Sequence, residues 1–213
     1  SFGYLGDTST KIRQIKKNDG VLSIDENYEL EKLGHLGGKL ELIQNQTADG
    51  SATTLNFTNI KESEYEVHAL FVNSMFTSSA NKLIRIRLSA DGGSSYVATG
   101  YQSAQQNCQS NGTFTKANTT SDTMMTPHTN VGTVLVESAN YVVYFWKLGD
   151  SSKYSFAQWH SSSIDNSGTI IGSTFGGGVL PTAATHDAIQ LVEPNGLGNL
   201  TGSAKLYGVK DLL

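Results

Sequence analysis

The chain has 213 residues, with 38% apolar and 16% charged side chains and a formal net charge of −4. That length can bury one sizeable core, and an acidic chain with no basic stripe offers no electrostatic footprint for nucleic acid. One cysteine, Cys108, excludes an intrachain disulfide and a Cys-ligated zinc site.

Residues 1–38 differ from the rest. Ser1 to Gly6 lacks the charged and apolar regions of a signal peptide. Ser1 to Gly20 shows no sustained period and reads as an extended arm, with a brief alternation that places Ile12 and Ile15 together. Ser23-Ile24-Asp25-Glu26 has the spacing of a capping box. Ile24, Tyr28 and Leu33 then mark one short helix, with Gly34 as its terminator. A lone short helix must dock on something. The expected anchoring residues are therefore Ile12, Ile15, Val21, Leu22, Ile24, Tyr28 and Leu33.

From Lys39 the period changes to two, so a β domain is expected over residues 39–213. Leu40 to Ile43, Thr54 to Thr58, Tyr65 to Val72 and Leu83 to Leu88 read as strands. Asp49-Gly50 and Asp91-Gly92-Gly93 read as turns. Residues 97–130 are polar and weakly patterned, so short strands and a long surface loop are expected there. Gly132 to Glu137 and Tyr141 to Leu148 read as strands, Phe156 to Trp159 as a short one, and Ile164 to Gly178 as turn-rich. Ala188 to Val192 and Ala204 to Val209 close the domain around Asn195-Gly196. About eight strands at this spacing, with long and short connections alternating, predict an all-β, jelly-roll-like β-sandwich. No run approaches the ~18 apolar residues of a membrane span, so no membrane insertion is expected.

Motifs for catalysis are sparse. There is no G-x-S-x-G elbow, P-loop or H-E-x-x-H. His35, His68, His128, His160 and His186 lack close ligand spacing, and His186-Asp187 would point to opposite faces of an extended segment. No catalytic residue, metal site or cofactor is expected. Tyr141, Tyr144, Phe145, Trp146, Tyr154, Phe156 and Trp159 crowd one region. Tyr144, Trp146 and Trp159 are the candidates for a glycan-stacking or subunit contact, since aromatics serve cores, interfaces and sugar faces alike.

The segments Leu40-Glu41-Leu42-Ile43, Leu55 to Ile60, Ser63 to Val67, Ile84 to Tyr96 and Gly202 to Lys210 together resemble virion structural proteins of tailed bacteriophages, notably marine and cyanobacterial phages. Leu88-Ser89-Ala90-Asp91-Gly92-Gly93-Ser94-Ser95-Tyr96 is the most specific piece. The resemblance implies a jelly-roll virion component assembled in the host cytoplasm, joined to other tail or capsid proteins through its N-terminal arm, with a homotrimer as the expected oligomer. A tail or appendage protein is the first expectation. A capsid decoration (cement) protein and a carbohydrate-binding module that reads a host surface glycan are the alternatives.

Overall fold

The computed structural model describes residues 40–210 together with Asp25. The anchoring residues named above, Ile12 through Leu33, lie outside the described residues. Leu40–Asp211 forms one compact unit.

Eleven strands build this unit. They are β1 (Leu40–Asp49), β2 (Thr54–Thr58), β3 (Val67–Thr77), β4 (Arg85–Ser89), β5 (Tyr101–Gln109), β6 (Phe114–Asp122), β7 (Ala139–Trp146), β8 (Ser155–Ile164), β9 (Ile171–Leu180), β10 (Ala188–Val192) and β11 (Leu200–Val209). An eight-stranded sheet runs β1-β11-β3-β7-β8-β9-β5-β6, and a three-stranded sheet runs β2-β10-β4. All pairings are antiparallel. Strands β1 to β4 fall alternately in the large and the small sheet, and β10 to β11 crosses again. That alternation is jelly-roll-like connectivity, so the all-β sandwich expected from the sequence is the observed fold.

The core lies between the sheets. Phe57, Ile189 and Leu88 form one rung of the small sheet, and Leu55, Leu191 and Ile86 form the next. Leu70, Val143, Phe145 and Leu206 face them from the large sheet, all fully buried. Burying each such side chain is worth roughly 1.5–3 kcal/mol, which makes this apolar layer the main driving force of the fold.

The outer face of the small sheet is polar. Arg87 Nε donates to Gln190 Oε1 at 2.6 Å, and Gln190 Nε2 donates to Asn56 Oδ1 at 2.7 Å. The buried Gln190 amide thus finds partners on both neighbouring strands along a single cross-strand row.

Turn chemistry follows the sequence at Gly50, Gly92, Gly93 and Gly196, which all have positive φ. The Asp91 loop is organised by its own carboxylate, which accepts from the Ser95 N–H at 2.8 Å and the Ser95 hydroxyl at 2.6 Å. Asp187 closes the loop by accepting from the Gly92 N–H at 2.9 Å. The most specific piece of the resemblance therefore builds a turn.

Three stretches differ from expectation. Residues 97–130 hold two nine-residue strands, β5 and β6, joined as a hairpin through Gly112 at φ 85°. Residues 164–178 are largely the strand β9, and Phe156 to Trp159 is part of the ten-residue β8. The full lengths of β8 and β9 were hidden because their inner faces carry Ser161, Ser163 and Thr174 in place of apolar residues. Conversely, Gly132 to Glu137 is no strand. Its end is a 3-10 turn, Leu135–Glu137, and the Gly132 N–H donates to the Glu137 carbonyl at 2.8 Å. The Glu137 side chain folds onto Gly132, filling the space where a Cβ would stand. Val134, Leu135 and Val136 are left exposed, so their apolar run marks no core strand.

Candidate binding face

The outer face of the eight-stranded sheet can be built row by row from the strand register. One row runs Leu40, Val209, Val67, Trp146, Phe156, Val179, Gln102. The next runs Leu42, Tyr207, Ala69, Tyr144, Gln158, Gly177, Ala104, Asn118. The third runs Asn45, Lys205, Phe71, Val142, His160, Phe175, Gln106, Lys116. Because side chains alternate faces along a strand, each row presents its residues on one side of the sheet.

The first half of this face, on β1, β11, β3 and β7, is apolar. Leu42 is 51% exposed and Phe71 37%, and Leu40 and Tyr144 are exposed too. Phe71 packs edge-on against Tyr207 with ring centroids 5.5 Å apart. Tyr144 and Trp146 lie 6.1 Å apart, tilted by 39°. Ala69 is buried although it stands on the outer side, between the larger Tyr207 and Tyr144 of its row. Lys205 is the one charged residue in the twelve positions that these four strands contribute to the three rows. Contiguous exposed apolar surface of this kind marks an interaction site more often than a bare monomer surface.

The second half, on β8, β9, β5 and β6, changes character. In the middle row Leu, Tyr, Ala and Tyr give way to Gln158, Gly177, Ala104 and Asn118. The small residues leave a groove of about 740 Å³. Gly177 and Ala104 form its floor. Trp146, Phe156 and Val179 stand along one wall, and His160 and Phe175 along the other. The His160 and Phe175 rings stack at 6.4 Å and 27°. Asn118, Thr119 and Thr120 of β6 close the far end, while Gln158 and Gln102 add amides. No Asp, Glu, Lys or Arg lines the groove. The two carboxylates that most glycoside hydrolysis requires are therefore missing from its lining.

The floor rests on Trp159. Its indole is 0% exposed on the inner side of β8, and its Nε1–H donates to Gln105 Oε1 at 3.1 Å. Gly178 faces it from β9, where an added Cβ would lie 3.2 Å from Trp159 Cη2. Of the three aromatics singled out in the sequence, Tyr144 and Trp146 thus share the outer face. Trp159 is withdrawn from any surface contact by burial, because the period of two puts it opposite Phe156 and His160. His160, Phe175, Leu42 and Phe71 are the face residues that sequence reasoning missed, and Phe156 was named among the crowded aromatics but not singled out. The alternation Phe156-x-Gln158-x-His160 was a usable signal. Phe175 was masked by the glycines that follow it.

The buried titratable groups serve the fold. The Ile84 N–H donates to His128 Nε2 at 3.1 Å, leaving the Nδ1–H to donate to the Thr129 carbonyl. Burial pushes the His128 pKa down to about 4. His68 Nε2–H donates to the Ile60 carbonyl at 2.9 Å, and burial lowers its pKa as well. His186 shares a hydrogen bond of 2.7 Å with the Ser155 hydroxyl, and burial lowers its pKa too. Among the described residues no three His, Cys, Asp or Glu side chains gather into a metal-binding group.

No protein-family model and no curated protein matches the chain. Among solved structures, a human SPRY domain is similar over 83% of this chain and 98% of its own, at 12% identity and a TM-score of 0.30. An alginate lyase from Alteromonas sp.272 is similar over 77% of this chain and 91% of its own, at 10% identity and a TM-score of 0.23. Likeness at that level defines neither the fold nor the function of this chain.

Proposed function

We propose that the chain is a non-enzymatic structural component of a phage virion, joined to its neighbours through residues 1–38 and to copies of itself through the outer face of β1, β11, β3 and β7. One observation carries the self-association: this half-face is apolar, exposed and nearly uncharged, whereas the outer face of the small sheet is tied up in its own polar row. A nearly uncharged apolar surface gains little from an oppositely charged partner. It is matched best by the same surface on another copy, buried by the hydrophobic effect. The virion assignment draws on the sequence resemblance, which favours a tail or appendage protein, with a capsid decoration protein second and a trimer as the closed form.

Light scattering coupled to size-exclusion chromatography tests the association. The full chain is expected to run as a closed oligomer, and Leu42→Glu and Phe71→Glu are expected to run as folded monomers. A wild-type monomer at every concentration would remove the proposal. Antibody labelling of purified phage particles tests the location, and particles that lack the chain would overturn it.

A further inference from the structure

The groove on the second half of the sheet face has a different chemistry from the apolar half beside it. Its two long walls carry aromatic rings, chiefly Phe156 and Phe175, the latter stacked on His160, with Trp146 at the corner. Phe156 stands in the first row and Phe175 in the third. Two rows lie four residues apart along a strand, about 13 Å. The floor between them is Gly177 and Ala104, with Gln158 the one long side chain of the middle row between the walls. Gln158 on the near side and Asn118 at the closed end supply amide donors and acceptors. The volume of about 740 Å³ falls in the range of small-molecule sites.

These features select among ligand classes. The absence of charge from the lining disfavours phosphates, carboxylates and cationic peptides, which would be buried without a counter-charge. A purely apolar ligand would leave Gln158 and Asn118 facing it without partners. A second copy of the chain fits the apolar half, where Ala69 is the one small side chain in the three rows, better than a hollow closed by amides. A neutral sugar meets both demands. Its axial C–H faces stack on aromatic rings, and its hydroxyls both donate to and accept from amides.

We infer that this groove binds a neutral oligosaccharide, with Phe156 and Phe175 as stacking platforms and Gln158 and Asn118 as hydroxyl partners. The inference does not rest on self-association: the groove is built mainly on β8, β9, β5 and β6 and shares only Trp146 of β7 with the proposed contact. It gives the chain a recognition function in addition to a structural one.

The test uses the full chain and defined probes: the hexasaccharides of cellulose, starch, laminarin and chitin, with alginate and hyaluronan hexasaccharides as acidic controls. Isothermal titration is expected to show binding of at least one neutral probe and none of the acidic ones. Phe156→Ala and Phe175→Ala are each expected to weaken it about tenfold. Ala104→Leu is expected to abolish it by filling the floor, with the oligomeric state unchanged in all three. Failure of every neutral probe, tighter binding of the acidic probes, or unaltered binding by the three variants would overturn the inference. So would a change of oligomeric state in Phe156→Ala or Phe175→Ala, which would make the groove a contact between copies. Monomeric Leu42→Glu that still binds the sugar would leave this inference standing whatever became of the first proposal.

Discussion

At the scale of single residues, the sheet depends on one large side chain and the absence of another. Trp159 fills the space beneath β9, and Gly178 leaves room for it. Trp159→Ala removes a fully buried indole and strands the Gln105 amide, so a loss of about 3–5 kcal/mol is expected in urea unfolding. Gly178→Val crowds the Trp159 ring, Met125 Sδ and the Gln102 carbonyl, all within 3.2 Å of the new Cβ. A loss of about 1–3 kcal/mol is expected there, and stability equal to wild type would mean that the indole can shift aside. The buried histidines make a second prediction at this scale. The folded His128 pKa of about 4 lies below its unfolded value of 6.5, so the unfolded chain binds more protons between those limits. Stability is then full above pH 6.5 and falls as the pH drops toward about 4, by about 3 kcal/mol for His128 at the lower limit. His68 and His186 shift in the same direction and add to the loss. Asp91, whose pKa its Ser95 hydrogen bonds hold down to about 2, contributes only below its ordinary value of 3.8, outside this window. Thermal melts across the window check the slope. A flat profile would show that these histidines are solvated in the folded protein.

At the scale of elements, the readable strands are those whose two faces differ. β2, β4, β10 and β11 show apolar residues alternating with polar ones, or a short apolar run, because one side meets the core. β9 and the second half of β8 escaped because Ser161, Ser163, Thr174, Gly176 and Gly178 occupy inner positions, and β5 because its inner positions include Ser103, Gln105 and Asn107, so no sustained apolar period runs through them. Gly132 to Glu137 made the opposite error. Its apolar run reflects composition, while the fold of the segment is set by the Glu137 side chain and the Gly132 backbone. β1 is the most instructive case. Leu40 and Leu42 alternate with Glu41 in the pattern of a core strand, yet they face outward. Glu41 stays half-buried beside Lys210, whose Nζ lies 2.8 Å from its carboxylate. An outer face that is itself apolar defeats the rule that apolar means inward, so Leu42 and Phe71 could not be read as site residues, whereas Tyr144 and Trp146 could. Local stability also differs by element. β6 is an edge strand paired only with β5, and nearly all its side chains are exposed. Its amides are expected to exchange with deuterium well before those of β7, which is paired on both sides and buries Tyr141, Val143 and Phe145. Equal protection of the two in exchange mass spectrometry would point to a partner covering the β6 edge.

At the scale of the whole molecule, the two outer faces predict how copies of the chain attract each other. The polar row Asn56–Gln190–Arg87 already satisfies its own hydrogen bonds and has little to gain from contact. On the opposite side, the half built on β1, β11, β3 and β7 exposes Leu40, Leu42, Phe71 and Tyr144, with Lys205 the one charge among its twelve row positions, so its association is driven by apolar burial and not by ion pairs. Two consequences separate that mechanism from an electrostatic one. Raising the ionic strength screens charges beyond about 10 Å at 0.1 M, and the oligomer is expected to hold or tighten, because Lys205 alone would otherwise face its own symmetry mate. Cooling weakens apolar burial, since its heat-capacity change on association is negative. The oligomer is therefore expected to dissociate more readily near 0 °C than at about 25 °C. Sedimentation velocity at low and high salt, and at two temperatures, reads both effects on one sample. Dissociation by salt with no effect of cooling would place the contact on charged surface elsewhere, and with it the assembly role assigned to β1, β11, β3 and β7.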